Sequence, residues 1–225
     1  MTYAPSSGLP MYVVLDTSGS MQKSEHLLNE TLETIYDTID TTPQVKEFVH
    51  LSVLSFNSRP HVVTQMTDFD DVNHLPTVTC SGRTNFGPMF QLVRTRIEAD
   101  VPALVDKGVR VLRPVVFILT DGIPTDNEDL PNDPWENHLG DLLDPQWKTR
   151  PHIIAYGFGN AREQVIKKIA TVAAFVAEKS DDNTSALRNA LISFLNSMVA
   201  SAASRRLEVP EQVKGYRTVP LDYVD

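Results

Sequence analysis

The chain has 225 residues, 41% of them apolar and 22% charged, enough for one α/β core without disulfide or metal staples; wholesale disorder and collagen-like character are excluded. Its longest apolar runs, residues 115–119 and 172–177, fall far short of the roughly 20 residues of a membrane span, so no membrane is expected as a partner. The net charge of −9 is gathered in one place: Asp121, Asp126, Glu128, Asp129, Asp133, Glu136, Asp141 and Asp144 lie in 121–145 with no Lys or Arg among them, and a nucleic acid approaching that face would be repelled.

Along the chain, segments with strand and helix periodicity alternate almost throughout, which predicts a mainly parallel sheet with helices on both faces. Met11 to Leu15 is a buried-strand run ending at Asp16. Leu27, Leu28, Thr31, Leu32, Ile35 and Ile39 recur at three-four spacing and predict a helix that stops before Pro43. Phe48 to Phe56 and His61 to Met66, joined by Asn57-Ser-Arg-Pro60, read as a hairpin, so the second segment is expected as an antiparallel edge strand.

Phe90, Val93, Ile97, Val101 and Leu104 mark the next helix, with Gly87-Pro88 at its start. Val115 to Leu119, wholly apolar and rich in β-branched residues, belongs in the middle of the sheet and ends at Thr120-Asp121-Gly122. A short helix around Trp135, Leu139, Leu142 and Leu143, a strand at His152 to Tyr156, a helix over Val165 to Ile169, a strand at Ala173 to Ala177 and a final helix through Leu187 to Met198 complete the pattern. The expected organisation is an N-terminal extension (1–10), one domain (11–204) and a polar tail (205–225), wrapped or mobile. The single cysteine, Cys80, cannot form an internal disulfide, and the first ten residues carry no Lys or Arg; a cytoplasmic location is expected.

In open α/β sheets, ligands bind beyond the carboxyl ends of the strands, where strand order reverses. The first strand runs into Asp16-Thr-Ser18-Gly-Ser20, which sets a carboxylate and two hydroxyls on one turn, and the central strand delivers Asp121 to the same edge. Between them Ser81-Gly82-Arg83-Thr84-Asn85 brings another hydroxyl ahead of a helix. Such hard oxygens suit Mg²⁺, with Mn²⁺ or Ca²⁺ as alternatives.

The ordered set Asp16, Ser18, Ser20, Thr84 and Asp121 resembles the metal-ion-dependent adhesion site (MIDAS) of von Willebrand factor A domains, and the resemblance extends over residues 10 to 200. It implies a Rossmann-like fold with Ser18, Ser20 and Thr84 as metal ligands and Asp16 and Asp121 acting mostly through bridging water. One coordination position would remain for a carboxylate of a protein partner. Phe117-Ile-Leu-Thr-Asp-Gly-Ile-Pro-Thr-Asp126 and Val53-Leu-Ser-Phe56 look like the bacterial TerY-like subgroup. That likeness implies a stress or tellurite-resistance system with a protein kinase and a PP2C-type phosphatase as partners. Where the family usually has two glycines before its threonine, this chain has Gly82 and then Arg83, so the loop is expected to turn at Gly82, and Arg83 to help grip an acidic partner, with weakened metal binding as the alternative.

The rival class is a Mg²⁺-dependent phosphotransfer enzyme. A haloacid-dehalogenase-type phosphatase would need an aspartate where Ser18 stands, a receiver-like acceptor a lysine where Gly157-Phe-Gly159 stands, and a nucleotide hydrolase a phosphate loop that is absent. A binding module that is not an enzyme is therefore expected; a scaffold with a purely structural metal is the third reading. Cys80 is expected as a small filler, and His26, His50, His61, His74, His138 and His152 show no zinc-type spacing. Trp135 and Trp147 are expected to pack or anchor. Asp126 and Asp129 are expected to face solvent, with the metal's water shell as their alternative role.

Overall fold

The computed structural model describes residues 6–66, 76–178 and 182–221. Five strands run parallel: β1 (Ser7–Asp16), β2 (Val49–Phe56), β5 (Val115–Thr120), β6 (His152–Gly157) and β7 (Ala173–Ala177), in the spatial order β2-β1-β5-β6-β7. Outside β2 lies β3 (Pro60–Thr64), antiparallel as the hairpin reading requires. The two-residue β4 (Arg110–Val111) pairs with the first residues of β1.

β1 is buried on both faces, which explains its unbroken apolar run. Because side chains alternate along a strand, Met11, Val13 and Leu15 enter one core layer and Tyr12 and Val14 the other. The first layer packs on α1 (Glu25–Thr41), α2 (Pro43–Phe48) and α7 (Asn183–Ser204), the second on α3 (Phe86–Asp106), α5 (Trp135–Leu142) and α6 (Glu163–Ile169). A four-residue helix, α4 (Asp126–Asp129), follows β5. No helix among the described residues is long and apolar enough to cross a membrane.

The expected architecture holds with two corrections. β1 begins at Ser7, so residues 7–10 are part of the sheet. The tail supplies a second antiparallel edge, where one was expected: β8 (Tyr216–Thr218) pairs with β7 in the register Ala177 to Tyr216. Arg205, in the left-handed conformation at φ 56°, ends α7 and reverses the chain; its guanidinium lies 3.1 Å from Glu47 and over the Phe48 ring. The returning segment meets a row of buried hydroxyls on α7. Ser201 Oγ accepts a hydrogen bond from Glu208 N at 2.9 Å, Ser197 donates to Glu208 O, and Ser193 bonds to Tyr156 Oη at 3.0 Å. Val213, Tyr216 and Val219 are buried, with Tyr216 Oη donating to Ala186 O.

Strand order reverses between β1 and β5. One connection leaves β1 toward β2 and the others leave β5 toward β7, so the carboxyl ends of β1 and β5 stand side by side above the sheet. Asp16 is the last residue of β1 and Asp121 the first after β5.

Truncation after Ser204 is expected to lower stability by about 3 kcal/mol or more, because three buried side chains leave the core, and to promote self-association through the bared β7 edge. Thermal melts and size-exclusion chromatography check this; an unchanged midpoint would mean that the tail contributes nothing to the domain.

Candidate metal centre

At the end of β1, Asp16 is fully buried and accepts two hydrogen bonds, at Oδ1 from Ser18 N (2.9 Å) and at Oδ2 from Thr120 Oγ1 (2.6 Å). The first closes a tight turn that lifts Ser18 and Ser20 onto the rim. Ser18 Oγ lies 3.1 Å from Ser20 Oγ, and Ser20 Oγ donates to Asp121 Oδ1 at 2.7 Å. A continuous polar chain thus bridges the gap between β1 and β5.

Thr84 comes from the segment before α3, which backbone bonds fasten to its neighbours. Gly19 N donates to Gly82 O, Ser81 N to Thr17 O, and Thr17 N to Phe56 O. Gly82 has φ +75°, the left-handed turn expected there, and a Cβ on it would stand 2.7 Å from Ser58 Oγ. Thr125 holds the threonine from the other side, its Oγ1 accepting from Thr84 N at 3.0 Å and its N donating to Thr84 O at 2.9 Å. Gly122 is the floor. A Cβ there would lie 2.9 Å from Thr84 Oγ1 and 3.4 Å from Asp16 Oδ2, so that hydroxyl and that carboxylate share the space over its Cα. All five residues singled out in the sequence are brought together.

Burial pushes the Asp16 carboxyl up to about 6, against the lowering effect of its bonds from Ser18 and Thr120, and the Asp121 charge adds to the rise. Asp121 is raised by burial and lowered by the Ser20 hydroxyl. Neither carboxylate has a basic partner among the described residues. Two buried acids among hydroxyls, without a counter-charge, have the donor chemistry of a small hard divalent cation. Among the described residues no cluster of three His, Cys, Asp or Glu side chains offers a rival metal site.

Several neighbours depart from expectation. Asp126 does not face solvent. It is fully buried and accepts from Phe86 N (2.8 Å) and Gly87 N (2.6 Å), capping the N-terminus of α3 from across the cleft. Arg83 is engaged by its own chain, at 2.8 Å from Asp129 and in contact with Glu128, so its guanidinium clasps α4 instead of awaiting a partner. Asp129 is thereby paired.

Cys80 is buried, its N–H donating to Glu25 Oε2, and burial pushes the thiol up to about 12, the state of an inert filler. Trp135 sits in the core against Phe86 and Phe90. Gly157-Phe-Gly159 buttresses the second carboxylate, since Phe158 N donates to Thr120 O and Asn160 N to Asp121 O. His74 lies outside the described residues.

The supporting residues that sequence reasoning missed are Thr17, Thr120 and Thr125. Thr120 carried a readable signal: a hydroxyl at the end of a buried apolar strand needs a polar partner. Thr125 carried none, and neither did the capping role of Asp126, because their partners lie about 40 residues upstream.

The family model for the von Willebrand factor type A domain matches residues 11–190. Comparison with curated proteins gives no match. Among solved structures, proximal thread matrix protein 1 from the mussel byssus aligns with TM-score 0.55 and 17% identity, over 87% of this chain and 49% of that one. A von Willebrand factor type A structure from Catenulispora acidiphila gives 0.52 and 15%, over 86% and 43%. The mussel protein with a zinc occupied MIDAS motif aligns at 0.44 and 19%, over 75% and 40%. The chain spans at most about half the length of these neighbours, and at such identities the likeness concerns the fold.

Asp126→Ala is expected to destabilise the domain by about 1–3 kcal/mol, because two buried N–H groups at the start of α3 lose their acceptor, whereas Asp129→Ala stays within about 0.5 kcal/mol as a surface change. Chemical denaturation of both variants checks the contrast. Cys80 is expected to resist iodoacetamide at pH 8 in the folded chain and to react once the chain is unfolded; rapid native labelling, read by mass spectrometry, would contradict its burial.

Proposed function

The chain belongs to the von Willebrand factor type A family, and from that premise we propose that it is a protein-binding module whose binding face is a divalent-cation centre. Ser18, Ser20 and Thr84 are the hydroxyl ligands; Asp16 and Asp121 supply negative charge and orient water. One observation carries this reading: Ser18, Ser20 and Asp121 are joined in one hydrogen-bonded chain beside Asp16, the Thr84 hydroxyl meets the Asp16 carboxylate over Gly122, and no basic side chain among the described residues neutralises the two acids. A bound cation would supply an electrophilic position open to an Asp or Glu carboxylate of the partner. Mg²⁺ is the ion this donor set fits first, ahead of Mn²⁺ and Ca²⁺.

The binding reading is preferred to transfer through an aspartyl phosphate because Asp16, the strand-end carboxylate such a route would use, is fully buried with both carboxylate oxygens accepting hydrogen bonds. A route through a phosphorylated aspartate would need that carboxylate free to attack. The finer context rests on the TerY-like resemblance of the β5 end and of Val53 to Phe56. On that reading the protein would work in the cytoplasm of a bacterium, in a stress or tellurite-resistance system, with a protein kinase or a PP2C-type phosphatase as the carboxylate-bearing partner.

Mg²⁺ is expected to raise the melting midpoint of the wild-type chain through linkage and to leave Ser18→Ala and Asp121→Ala unmoved. Capture of the purified kinase or phosphatase should fall at least tenfold in EDTA or with either variant. Capture that persists under all these conditions would remove the cation from the mechanism, and a Mg²⁺ shift without metal-dependent capture would assign it a structural role.

A further inference from the structure

At the opposite pole from the metal centre, a half-open cavity of 480 Å³ lies beneath the amino ends of β5 and β6. That volume is within the range of small-molecule sites. Its apolar wall comes from Val101 and Val105 of α3 and from Val111 and Pro114, and Trp147 closes the side. Three cations, Arg113, Lys148 and Arg150, line the same cavity.

Their surroundings are unusual for a chain of net charge −9. None of the three side chains meets a carboxylate among the described residues. Arg113 Nε donates to the main-chain oxygen of Arg150 at 2.8 Å, which holds the Arg113 guanidinium against the segment that carries Lys148 and Arg150. Burial and the Arg150 charge lower Arg113, and burial with both arginines pushes His152 at the mouth of β6 down to about 4. The nearest acid in sequence, Asp144, turns its Oδ1 to Gln146 N. Positive charge gathered round a hollow, with no carboxylate partner among the described residues, offers an entering anion a favourable local potential.

A lone carboxylate would satisfy one guanidinium fork. Two guanidiniums and an ammonium match the several terminal oxygens of a multiply charged oxyanion. The wall of Val101, Val105 and Trp147 asks for an apolar or flat body attached to it. We propose that this cavity is a second binding site, for a phosphate ester of nucleotide size, with its phosphoryl oxygens held by Arg113, Lys148 and Arg150 and its body laid against Trp147 and the α3 wall. The site is independent of the metal centre and does not rest on the function proposed above.

Titration calorimetry of the full chain with ADP, in EDTA so that no divalent ion contributes, tests it. ADP is expected to bind, and inorganic pyrophosphate to bind at least tenfold more weakly because it lacks a body. Arg113→Gln and Arg150→Gln should each weaken ADP about tenfold, on the scale of one charge-assisted hydrogen bond, and the double variant should abolish it. Melting curves confirm folding of these variants; should the double variant unfold, the exposed Lys148→Gln alone is expected to weaken ADP severalfold. Absence of heat with millimolar ADP, equal binding of pyrophosphate, or ADP affinity unchanged in folded variants would overturn the proposal.

Discussion

The constraint on which the rest depends is the reversal of strand order between β1 and β5, which places two buried carboxylates side by side without a basic neighbour among the described residues. Like charges withdrawn from water are costly, and the chain answers with hydroxyls, not with cations. Thr120 and the Ser18 N–H satisfy Asp16, and Ser20 satisfies Asp121. These bonds compensate partially and leave net negative charge in place. A lysine here would have closed the site; its absence leaves the hollow over Gly122 fit for an external cation.

The surrounding loops are stiffened before any ion enters. Three loops above the sheet are joined by backbone hydrogen bonds through Thr17, Gly19 and Ser81, and α3 is capped by Asp126 from the loop beyond Asp121. The Thr84 hydroxyl is therefore aimed by its own main chain, gripped on one side by Thr125 and on the other by the turn at Gly82. Arg83 joins this arrangement by clasping Glu128 and Asp129, which consumes part of the acidity that stands out in the sequence of 121–145. Pre-organisation of this kind leaves little ordering cost for binding to meet.

Much of this was readable in advance where the signal was local. β1 and β5 are continuous apolar runs because both faces are covered, and α1 and α3 repeat at three-four spacing. The Asp16 to Ser20 turn and Thr120-Asp121-Gly122 announce themselves at strand ends. What escaped lacks periodicity or spans distance. α2 has six residues, too few to show a repeat, and β4 has two. β8 offers one buried residue, Tyr216, in a polar segment, and is a strand only because β7 lends it a partner. Asp126 looks like any acid in an acidic stretch, because its role is defined by N–H groups 39 and 40 residues away.

The row of hydroxyls on α7 has a mechanical meaning. A helix seated by side chains of pure hydrocarbon could shift by one turn, about 5.4 Å, and find similar contacts. Ser193, Ser197 and Ser201 forbid this, since each is matched to a dedicated partner in Tyr156 or Glu208, and displacement would strand every hydroxyl in a dry interior at once. The long C-terminal helix is therefore keyed like a bolt in its lock, and it can travel along its axis only if the tail first lets go.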